Sequence, residues 1–421
     1  MGTPTATAEA VTAAWRAESA RLVAALARMT RDLTLAEDLA QDALVAALEQ
    51  WPQTGIPDNP AAWLTTTARR RAVDHFRRAS ALRRKVEAIG RDLDEADVPD
   101  LDAQVDHIGD DVLRLMFLCC HPVLSADSRA ALTLRLVAGL STAEIARGFF
   151  VAESTMGQRL SRAKRTLQEA GADLDLPAER DRRARLDDVM AVVYLVFNEG
   201  YTATAGPDWT RPDLCHEAIR LSRILAAQAP GDPDPLALQA LLEIQASRLP
   251  ARTDAHGRAV LLEDQDRSRW DQLLRRRGLA ALDRAAELAA GGRSVGRYFL
   301  QAAIAAEHAR APRAERTDWA EIARLYDLLA RAAPGPVVEV NRAVAHGRAF
   351  GPLAGLEVLD AIAGDALAGS PLVPSVRGDL LERLGRRRDA AAQFREAAAQ
   401  TRNDIERALL LRRADEVLAH R

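Results

Sequence analysis

Lysine and cysteine are scarce in this chain, and the common signatures of catalysis are missing. Only Lys85 and Lys164 are lysines among 421 residues, and neither follows glycine, so there is no phosphate-binding Gly-Lys-Ser/Thr loop. Neither His-Glu-x-x-His nor Gly-x-Ser-x-Gly occurs. The three cysteines include an adjacent pair, Cys119 and Cys120, which cannot build a disulfide framework. These absences predict a cytoplasmic protein that is not an enzyme and uses no cofactor.

Long apolar runs and aromatic residues are also few. The longest runs, such as Val189 to Phe197, span nine residues, whereas a bilayer-crossing helix needs about 20. A basic and then apolar signal sequence is absent from the N-terminus. Aromatic residues make up 4% of a chain that is 48% hydrophobic and rich in Ala and Leu, which favours packed helices over sheets. We therefore expect an all-α fold, and the length predicts roughly two or three domains.

Basic charge is concentrated in one helix near the N-terminus. The net charge is only −3, so any surface for nucleic acid has to be local. Apolar spacing predicts a helix from Leu35 to Trp51 that ends at Pro52, then a loop, then a helix from near Pro60 that Asn59 caps. The first helix has one apolar face, formed by Leu35, Leu39, Leu44, Leu48 and Trp51. The second helix carries a stripe of five arginines, namely Arg69, Arg70, Arg71, Arg77 and Arg78.

This stripe has two interpretations. It is either a solvated face over a core tryptophan or a surface for a negatively charged partner, in which Trp63 and Phe76 abut unstacked bases. Residues 79–106 follow with four basic and eight acidic groups and few large apolar residues. That composition predicts a mobile acidic linker between residues 1–78 and a second compact unit at residues 107–171.

The second unit contains a helix-turn-helix spacing. Helices are expected near 111–120, 125–137, 142–148 and 153–170, and a four-residue turn separates the last two. Ala143, Ile145, Ala146 and Leu160 are the predicted packing positions. The outward positions of the last helix are polar or basic and suit phosphates and base edges in a major groove: Ser154, Thr155, Gln158, Arg159 and Arg162. The alternative is a purely structural helix pair.

Residues 172–421 read as a succession of helices. Gly378, Leu381, Gly385, Ala390, Phe394 and Ala397 lie at offsets that resemble a tetratricopeptide repeat, and the segment from Trp319 to Pro334 resembles half of another. Such an array either binds a partner or merely stacks. Two local features are ambiguous. The first is formed by Cys119, Cys120 and His121, which lack the spacing of a zinc site, so buried thiols and no metal are expected. The second is a segment near the start of the array that is either a polar regulatory site or a helix end at glycine: Asn198, Glu199, Gly200 and Tyr201.

The segment from Leu35 to Leu44 (Leu-Ala-Glu-Asp-Leu-Ala-Gln-Asp-Ala-Leu) resembles region 2 of bacterial group 4, or extracytoplasmic function (ECF), sigma factors. Residues 63–78 resemble the promoter-melting end of that region, and residues 112–169 resemble region 4. The helical tail resembles the ECF subgroup with a tetratricopeptide-like C-terminal extension, including the segment from Tyr194 to Gly206. The resemblance implies a sigma region 2 helical bundle, a linker, a region 4 helix-turn-helix and a helical-repeat extension.

The resemblance also implies roles for individual residues. The exposed face of the helix from Leu35 to Trp51 would dock on the β′ clamp of core RNA polymerase through Glu37, Asp38, Gln41 and Asp42. Region 4 would contact the β flap of the polymerase. Promoter DNA would be held at the −10 element by Asn59, Trp63, Arg69, Arg70, Arg71, Arg77 and Arg78, although Arg70 replaces an asparagine common in the family. The −35 element would be read by Ser154, Thr155, Gln158, Arg159 and Arg162.

Two classes of function follow from these observations. The first is a sigma factor whose C-terminal extension contacts region 2 or region 4 and controls its activity. The second is a polymerase-independent helix-turn-helix regulator whose repeat domain senses a ligand or a protein.

Overall fold

The computed structural model describes residues 4–87, 108–149, 151–172, 174, 179–203, 205–206, 208–362 and 367–419. The described residues are almost entirely α-helical, which confirms the predicted fold class. They divide into two compact units, 1–192 and 193–421. The boundary falls inside the eighth helix, about twenty residues beyond the position expected from the sequence.

The helices of the first unit are α1 (Pro4–Thr30), α2 (Leu33–Thr54), α3 (Pro60–Glu87), α4 (Ile108–Cys119), α5 (Ala126–Leu136), α6 (Thr142–Gly148), α7 (Glu153–Glu169) and the start of α8 (Glu179–Tyr201).

The N-terminal three helices form a bundle in which α1 packs against both α2 and α3. Asp32 caps α2 by accepting hydrogen bonds from the backbone N–H groups of Thr34 and Leu35. The helix does not end at Pro52, as the sequence suggested, but continues to Thr54 and ends at Gly55, whose φ is +86°. Asn59 caps α3 as predicted, because its side chain accepts from the Ala62 N–H at 3.0 Å.

The predicted linker is partly helical. Helix α3 continues to Glu87, nine residues beyond the expected end at Arg78, because nothing between residues 79 and 87 is a helix breaker such as proline or glycine. Residues 88–106 of the predicted linker lie outside the described residues. Helix α4 begins shortly afterwards, at Ile108.

Helices α4 to α7 lie close to the segments expected from the sequence. Ser125 caps α5 through the Ser128 N–H. Ser141 and Glu144 form a reciprocal capping box at the start of α6, with the Ser141 N–H donating to Glu144 Oε2 at 2.8 Å and the Glu144 N–H donating to Ser141 Oγ at 3.2 Å. The start of α8 is bonded to this group of helices, since Arg129 forms an ion pair with Asp188 at 3.2 Å and Arg185 donates to the Phe117 carbonyl at 2.6 Å.

The second unit is a succession of helices, most of which pack on their neighbours in the chain. Its helices are the end of α8, α9 (Pro212–Gln228), α10 (Pro233–Ala246), α11 (Gln272–Ala290), α12 (Arg297–Arg310), α13 (Trp319–Ala332), α14 (Pro336–Ala349), α15 (Pro352–Asp360), α16 (Leu372–Arg383), α17 (Arg387–Gln400) and α18 (Asp404–Ala419). Short 3-10 turns at residues 249–251, 262–264, 267–269 and 314–316 interrupt the loops between helices.

The tetratricopeptide-like positions pack as the sequence predicted. Gly378 on α16 lies against the ring of Phe394 on α17, where an added Cβ would stand 2.7 Å from the ring. Phe394 is fully buried, in one cluster with Leu381, Ala390 and Ala397. Small residues therefore let the two helices approach while one large ring fills the space between them.

The end of the array is attached to its beginning. Strands β1 (Ala205–Gly206) and β2 (Arg402–Asn403) pair in parallel. The buried Asn403 side chain donates to the carbonyls of Ala203 at 3.0 Å and Asp208 at 2.8 Å, and it also accepts from the backbone N–H groups of Ile405 and Glu406 at the start of α18. One amide thus caps the last helix and fixes the loop after α8. None of the helices in the described ranges is both long and apolar enough to cross a bilayer.

Candidate nucleic-acid interface

Helix α7 has one buried face and one polar face. Its buried residues are Met156, Leu160, Ala163 and Leu167, which lie one or two helical turns apart. Of the five predicted DNA-contacting residues on α7, four are exposed: Ser154, Thr155, Gln158 and Arg162. Arg159 is half-buried and forms an ion pair with Asp127 at 3.3 Å. Four of the five side chains therefore lie on the exposed side of α7, and Arg159 lies at its border with α5.

The turn that precedes α7 holds the helix without a central glycine. The Phe149 N–H donates to the Ile145 carbonyl at 3.0 Å, and the Val151 N–H donates to the Ala146 carbonyl at 3.1 Å. Ala152 stands at the N-cap and supplies no side-chain hydrogen bond. The first N–H groups of α7 therefore have no capping side chain, and this end of the helix favours negative charge.

The arginine stripe on α3 is mostly exposed. Arg70, Arg77 and Arg78 are exposed, whereas Arg69 and Arg71 are half-buried. Arg71 forms an ion pair with Asp42 on α2 at 3.2 Å, and both side chains face solvent, so the pair contributes little to stability. Within the described residues, Arg70 and Arg77 make no ion pair.

Trp63 lies at the edge of the same surface. It is half-buried, and its ring meets that of the buried Trp51 edge to face, with centroids 5.5 Å apart. Between the two tryptophans the chain forms an exposed loop that includes Ile56 and Asn59. The buried Trp51 thus holds the Trp63 ring beside this exposed loop and next to the arginine stripe.

The acidic residues on α2 do not all share one surface. Asp38 and Asp42 are exposed and Gln41 is half-buried, but Glu37 is 6% exposed. The expectation that Glu37 lies on the exposed face is therefore wrong. The reason is its helical position, since Glu37 follows the fully buried Ala36 and faces the C-terminal part of the unit rather than solvent.

Two apolar residues of α2 extend the exposed surface and were missed. Val45 is 49% exposed and Leu48 is 46% exposed, although the apolar spacing placed Leu48 on the inward face. They lie one to two turns after Asp42 on α2. A stripe of acidic and then apolar side chains is thus available on this helix, and the exposed apolar pair is typical of a protein-binding surface.

Glu37 binds two cations of the helix-turn-helix unit. Its Oε1 accepts from Arg135 Nε at 2.5 Å and its Oε2 accepts from Lys164 Nζ at 2.9 Å. Burial alone would raise the pKa of Glu37, but attraction to the two cations outweighs burial, and the pKa lies below its ordinary value. The sequence carried one signal of this contact, because Lys164 follows Ala163 at the border of the buried face of α7, where a cation is favoured by an acidic partner.

A second contact joins the same two parts of the unit. The Trp15 indole on α1 donates to the Gly139 carbonyl at 3.0 Å. Gly139 has a φ of +71°, and an added Cβ would stand 2.4 Å from Ser19 Oγ. The backbone at Gly139 therefore rests directly on α1, and α1 also packs on α4.

Three of the four residues of the predicted regulatory segment are packed against neighbouring side chains. Glu199 forms an ion pair with Arg211 at 2.9 Å, and Gly200 lies so close to α9 that a Cβ would stand 2.8 Å from the Cys215 nitrogen. The Tyr201 ring stacks on Phe197 and lies 3.9 Å from the Arg252 guanidinium. Only Asn198 is exposed. Helix α8 does not stop at Gly200 but ends at Tyr201.

Cys119 and Cys120 are fully buried. Cys120 Sγ lies 3.6 Å from Thr133 Oγ1, and burial raises the pKa of Cys120 to about 12. Both thiols are thus small core side chains that stay protonated.

Family models match three segments of the chain. The sigma-70 region 2 family model matches residues 14–82, and the sigma-70 region 4 model matches residues 114–167. A family of unknown function, DUF6596, matches residues 185–286. Together these three matches cover the bundle, the helix-turn-helix and the first hairpins of the second unit.

Three proteins illustrate the similarity. The uncharacterised protein R00370 of Rhizobium meliloti is 45% identical over 94% of this chain and 93% of its own length. The ECF RNA polymerase sigma factor SigL of Mycobacterium tuberculosis is 34% identical over 34% of this chain and 81% of its own length, and the probable ECF sigma factor SigI is 32% identical over 38% and 55%. A tetratricopeptide repeat protein from Parabacteroides merdae covers 65% of this chain and 98% of its own, with 13% identity and a TM-score of 0.34.

Proposed function

Because the chain belongs to the ECF family of RNA polymerase sigma factors, we propose that it binds core RNA polymerase in the cytoplasm and directs transcription from promoters with specific −10 and −35 elements. The observation that carries this proposal is the polar face of α7, on which four of the five predicted DNA-contacting side chains are exposed. A sigma factor makes and breaks no bond, so its function consists of binding and positioning.

Helix α7 is the −35 reader in this proposal. Ser154 and Thr155 lie in its first turn, where uncapped N–H groups favour a phosphate. Gln158 and Arg162 lie one and two turns further along, in positions suited to base edges in the major groove. Each good base contact contributes about 1–3 kcal/mol of discrimination.

Helix α3 is the −10 element holder. Its exposed arginines would neutralise phosphates of the opened strand, while Trp63 would stack at the edge of the melted duplex and the loop that includes Asn59 would receive an extruded base. A few phosphate contacts of this kind weaken steeply as salt rises. Two such modules therefore need a larger partner that fixes their separation and makes them bind together.

Asp38 and Asp42 on α2, with Val45 and Leu48 beside them, are the proposed surface for the polymerase clamp. Replacing both acids with arginine should abolish retention of the chain by immobilised core polymerase. The matched control is Asp283→Arg with Glu287→Arg, an exposed acidic pair with the same four-residue spacing on α11. Retention of the Asp38→Arg, Asp42→Arg variant at the control level would contradict the clamp assignment.

Transcription in vitro with purified core polymerase tests the whole function. Start sites should depend on added protein and should map downstream of shared −10 and −35 sequences. A protein that binds DNA and shifts transcription only when another sigma factor is supplied would instead be a polymerase-independent regulator.

Control by the C-terminal extension is the second part of the proposal. It is supported by α8, which begins with bonds to the helix-turn-helix unit at Arg129 and Phe117 and ends where the second unit starts. Truncation after Val192 keeps those bonds, so a change in promoter output can be assigned to the missing array. Equal output from the truncated and full chains would remove this part of the proposal.

A further inference from the structure

Three arginines lie together inside the second unit, and we call them the inner arginine cluster: Arg248, Arg252 and Arg267. Arg248 is 5% exposed, Arg252 is 9% exposed and Arg267 is half-buried. They flank the short 3-10 turns at residues 249–251 and 267–269. Arg248 lies close enough to Arg252 and to Arg267 for their charges to repel one another. Burying three like charges at one place is unfavourable unless a negative group opposes them.

Carboxylates oppose the charge of other half-buried arginines in this unit. Arg413 pairs with Asp379 at 2.9 Å and with Glu382 at 2.6 Å. Arg211 pairs with Glu199 at 2.9 Å. Among the described residues, no carboxylate forms an ion pair with any arginine of the inner cluster. The cluster therefore carries an excess of positive charge.

Backbone oxygens at the end of α12 accept hydrogen bonds from two arginines of the cluster. Arg248 donates to the Ala305 carbonyl at 3.2 Å. Arg267 donates to the His308 carbonyl at 2.5 Å and to the Ala311 carbonyl at 2.6 Å. A helix C-terminus carries only about half a negative charge, which does not balance three cations. Among the described groups, none accepts a hydrogen bond from the buried Nε atom of Arg248.

Aromatic rings also contact the cluster. The Arg252 guanidinium lies 3.9 Å from the ring centre of Tyr201 and 5.1 Å from that of Trp209, and it donates to Thr202 Oγ1 at 2.9 Å. The other two guanidinium groups lie 5.3 Å and 4.9 Å from the ring of the buried Trp270. Contacts of this kind contribute much less than the burial of an ion costs. The rings position the arginines but leave their charge without compensation.

Two further tyrosines border the cluster in a groove. Tyr194 on α8 and Tyr326 on α13 are neighbours, and Tyr326 also lies near Arg248. Both rings are half-buried, yet burial raises the pKa of both hydroxyls, as expected for side chains recessed in a groove rather than placed on a convex surface. The exposed Asn198 follows Tyr194 by one helical turn and interacts with its hydroxyl. The groove thus has a cationic base, aromatic sides and a polar rim.

We propose that this groove binds a small phosphorylated molecule that carries a flat ring, as a nucleotide does. The phosphate would contact the inner arginine cluster, because guanidinium groups match its oxygens and its charge of about −1.5 to −2 opposes the three cations better than a single carboxylate would. The ring would stack on Tyr194 and Tyr326. Such a site lies wholly within the second unit and requires neither polymerase nor promoter DNA.

Hydrogen exchange of the full-length chain, with adenosine monophosphate (AMP) as the probe, locates the binding. AMP should slow exchange at residues 247–271 and at the end of α8, by about tenfold once its concentration is about ten times its dissociation constant. Inorganic phosphate should bind more weakly than AMP. Adenosine, which has no phosphate, and sodium chloride at equal ionic strength should not slow exchange there.

Three results of this experiment would overturn the site or part of it. The site is wrong if AMP slows exchange no more than sodium chloride or adenosine does. It is also wrong if the slowing is confined to α3 and α7, because AMP would then bind the proposed DNA-contacting arginines. Equal affinities for AMP and inorganic phosphate would refute stacking on the two tyrosines.

Substitution of Arg252 tests the cluster itself. Arg252→Gln keeps a donor for Thr202 but removes one charge, so it should weaken AMP binding about tenfold or more. Arg252→Lys keeps the charge without the fork and should bind AMP with intermediate affinity, and it replaces Arg252→Gln if that variant does not fold. Arg413→Gln is the matched control, because Arg413 also lies over a ring, that of Phe394 at 4.3 Å, but already has carboxylate partners.

The control variant should bind AMP as the unmodified chain does. Each variant is compared with and without AMP, so a change in its own stability does not alter the outcome. Equal AMP affinities of the Arg252 variants, the Arg413→Gln control and the unmodified chain would overturn the proposal and leave the inner arginine cluster with a structural role only.

Discussion

The contact at Gly139 allows the interface between α1 and the helix-turn-helix unit to be tested by a single methyl group. Gly139→Ala places an L side chain at a φ of +71°, which costs roughly 1–2 kcal/mol, partly offset by lower entropy of the unfolded chain. The new Cβ also meets Ser19 Oγ at 2.4 Å and Trp15 Nε1 at 3.2 Å. Overpacking and loss of the Trp15 hydrogen bond add about 2 kcal/mol.

Gly171→Ala is the matched control. Gly171 follows α7 with a φ of +61°, but an added Cβ there meets nothing within 4 Å. This variant should therefore carry only the backbone term, about 1 kcal/mol after the offset. The difference between the two variants isolates the interface.

Hydrogen exchange of α1 is the appropriate assay, because the chain has two units and global unfolding is not a single transition. A difference of about 2 kcal/mol corresponds to about thirtyfold faster exchange in Gly139→Ala than in Gly171→Ala. Adding Ser19→Ala to Gly139→Ala removes the closest contact and should recover part of the protection. Equal exchange of α1 in the two glycine variants would refute the inferred close packing.

Three further predictions concern the second unit. Phe394→Ala should destabilise it by about 3–5 kcal/mol and Gly378→Ala by about 1–3 kcal/mol, measured by urea denaturation, since one creates a cavity and the other overfills the same space. Burial and the nearby Arg248, Arg267 and Arg348 lower the pKa of His308 to about 3, so His308 is protonated in the unfolded chain, but not in the folded one, as the pH falls below about 6.5. The free energy of unfolding should therefore drop by about 2 kcal/mol between pH 7.5 and 5. His308→Phe should flatten this dependence on pH. Asn403→Ala should lower the melting temperature more than Asn198→Ala. The buried Asn403 side chain hydrogen-bonds to two backbone carbonyls and caps the start of α18, whereas Asn198 is exposed.

Local features of the fold could be predicted from the sequence because their causes are local. The cap at Asn59, the polar face of α7 and the approach of Gly378 to Phe394 depend on residues close in sequence. The sequence predicts that α2 ends at Pro52, but the helix continues through Gln53 and Thr54, and Gly55 immediately after them supplies the terminating conformation.

Long-range features could not be predicted in the same way. Glu37 matched a family motif, and only its partner 127 residues away decides that it is buried. Asn403 similarly meets Ala203 across 200 residues. Amphipathic spacing shows that a residue faces inward or outward, but it does not identify the partner.

The balance of forces at Glu37 also explains why an ion pair suits this position better than an apolar contact. Desolvating a carboxylate and two cations costs nearly as much as their attraction returns, so an intact buried cluster adds little net stability to the interface between α2 and the helix-turn-helix unit. Removing one member is costly unless another charge replaces it. Helix α2 can therefore separate from Arg135 and Lys164 at low cost only when Glu37 reaches water or another cation. An apolar contact of the same area would have no such dependence on the charge around it.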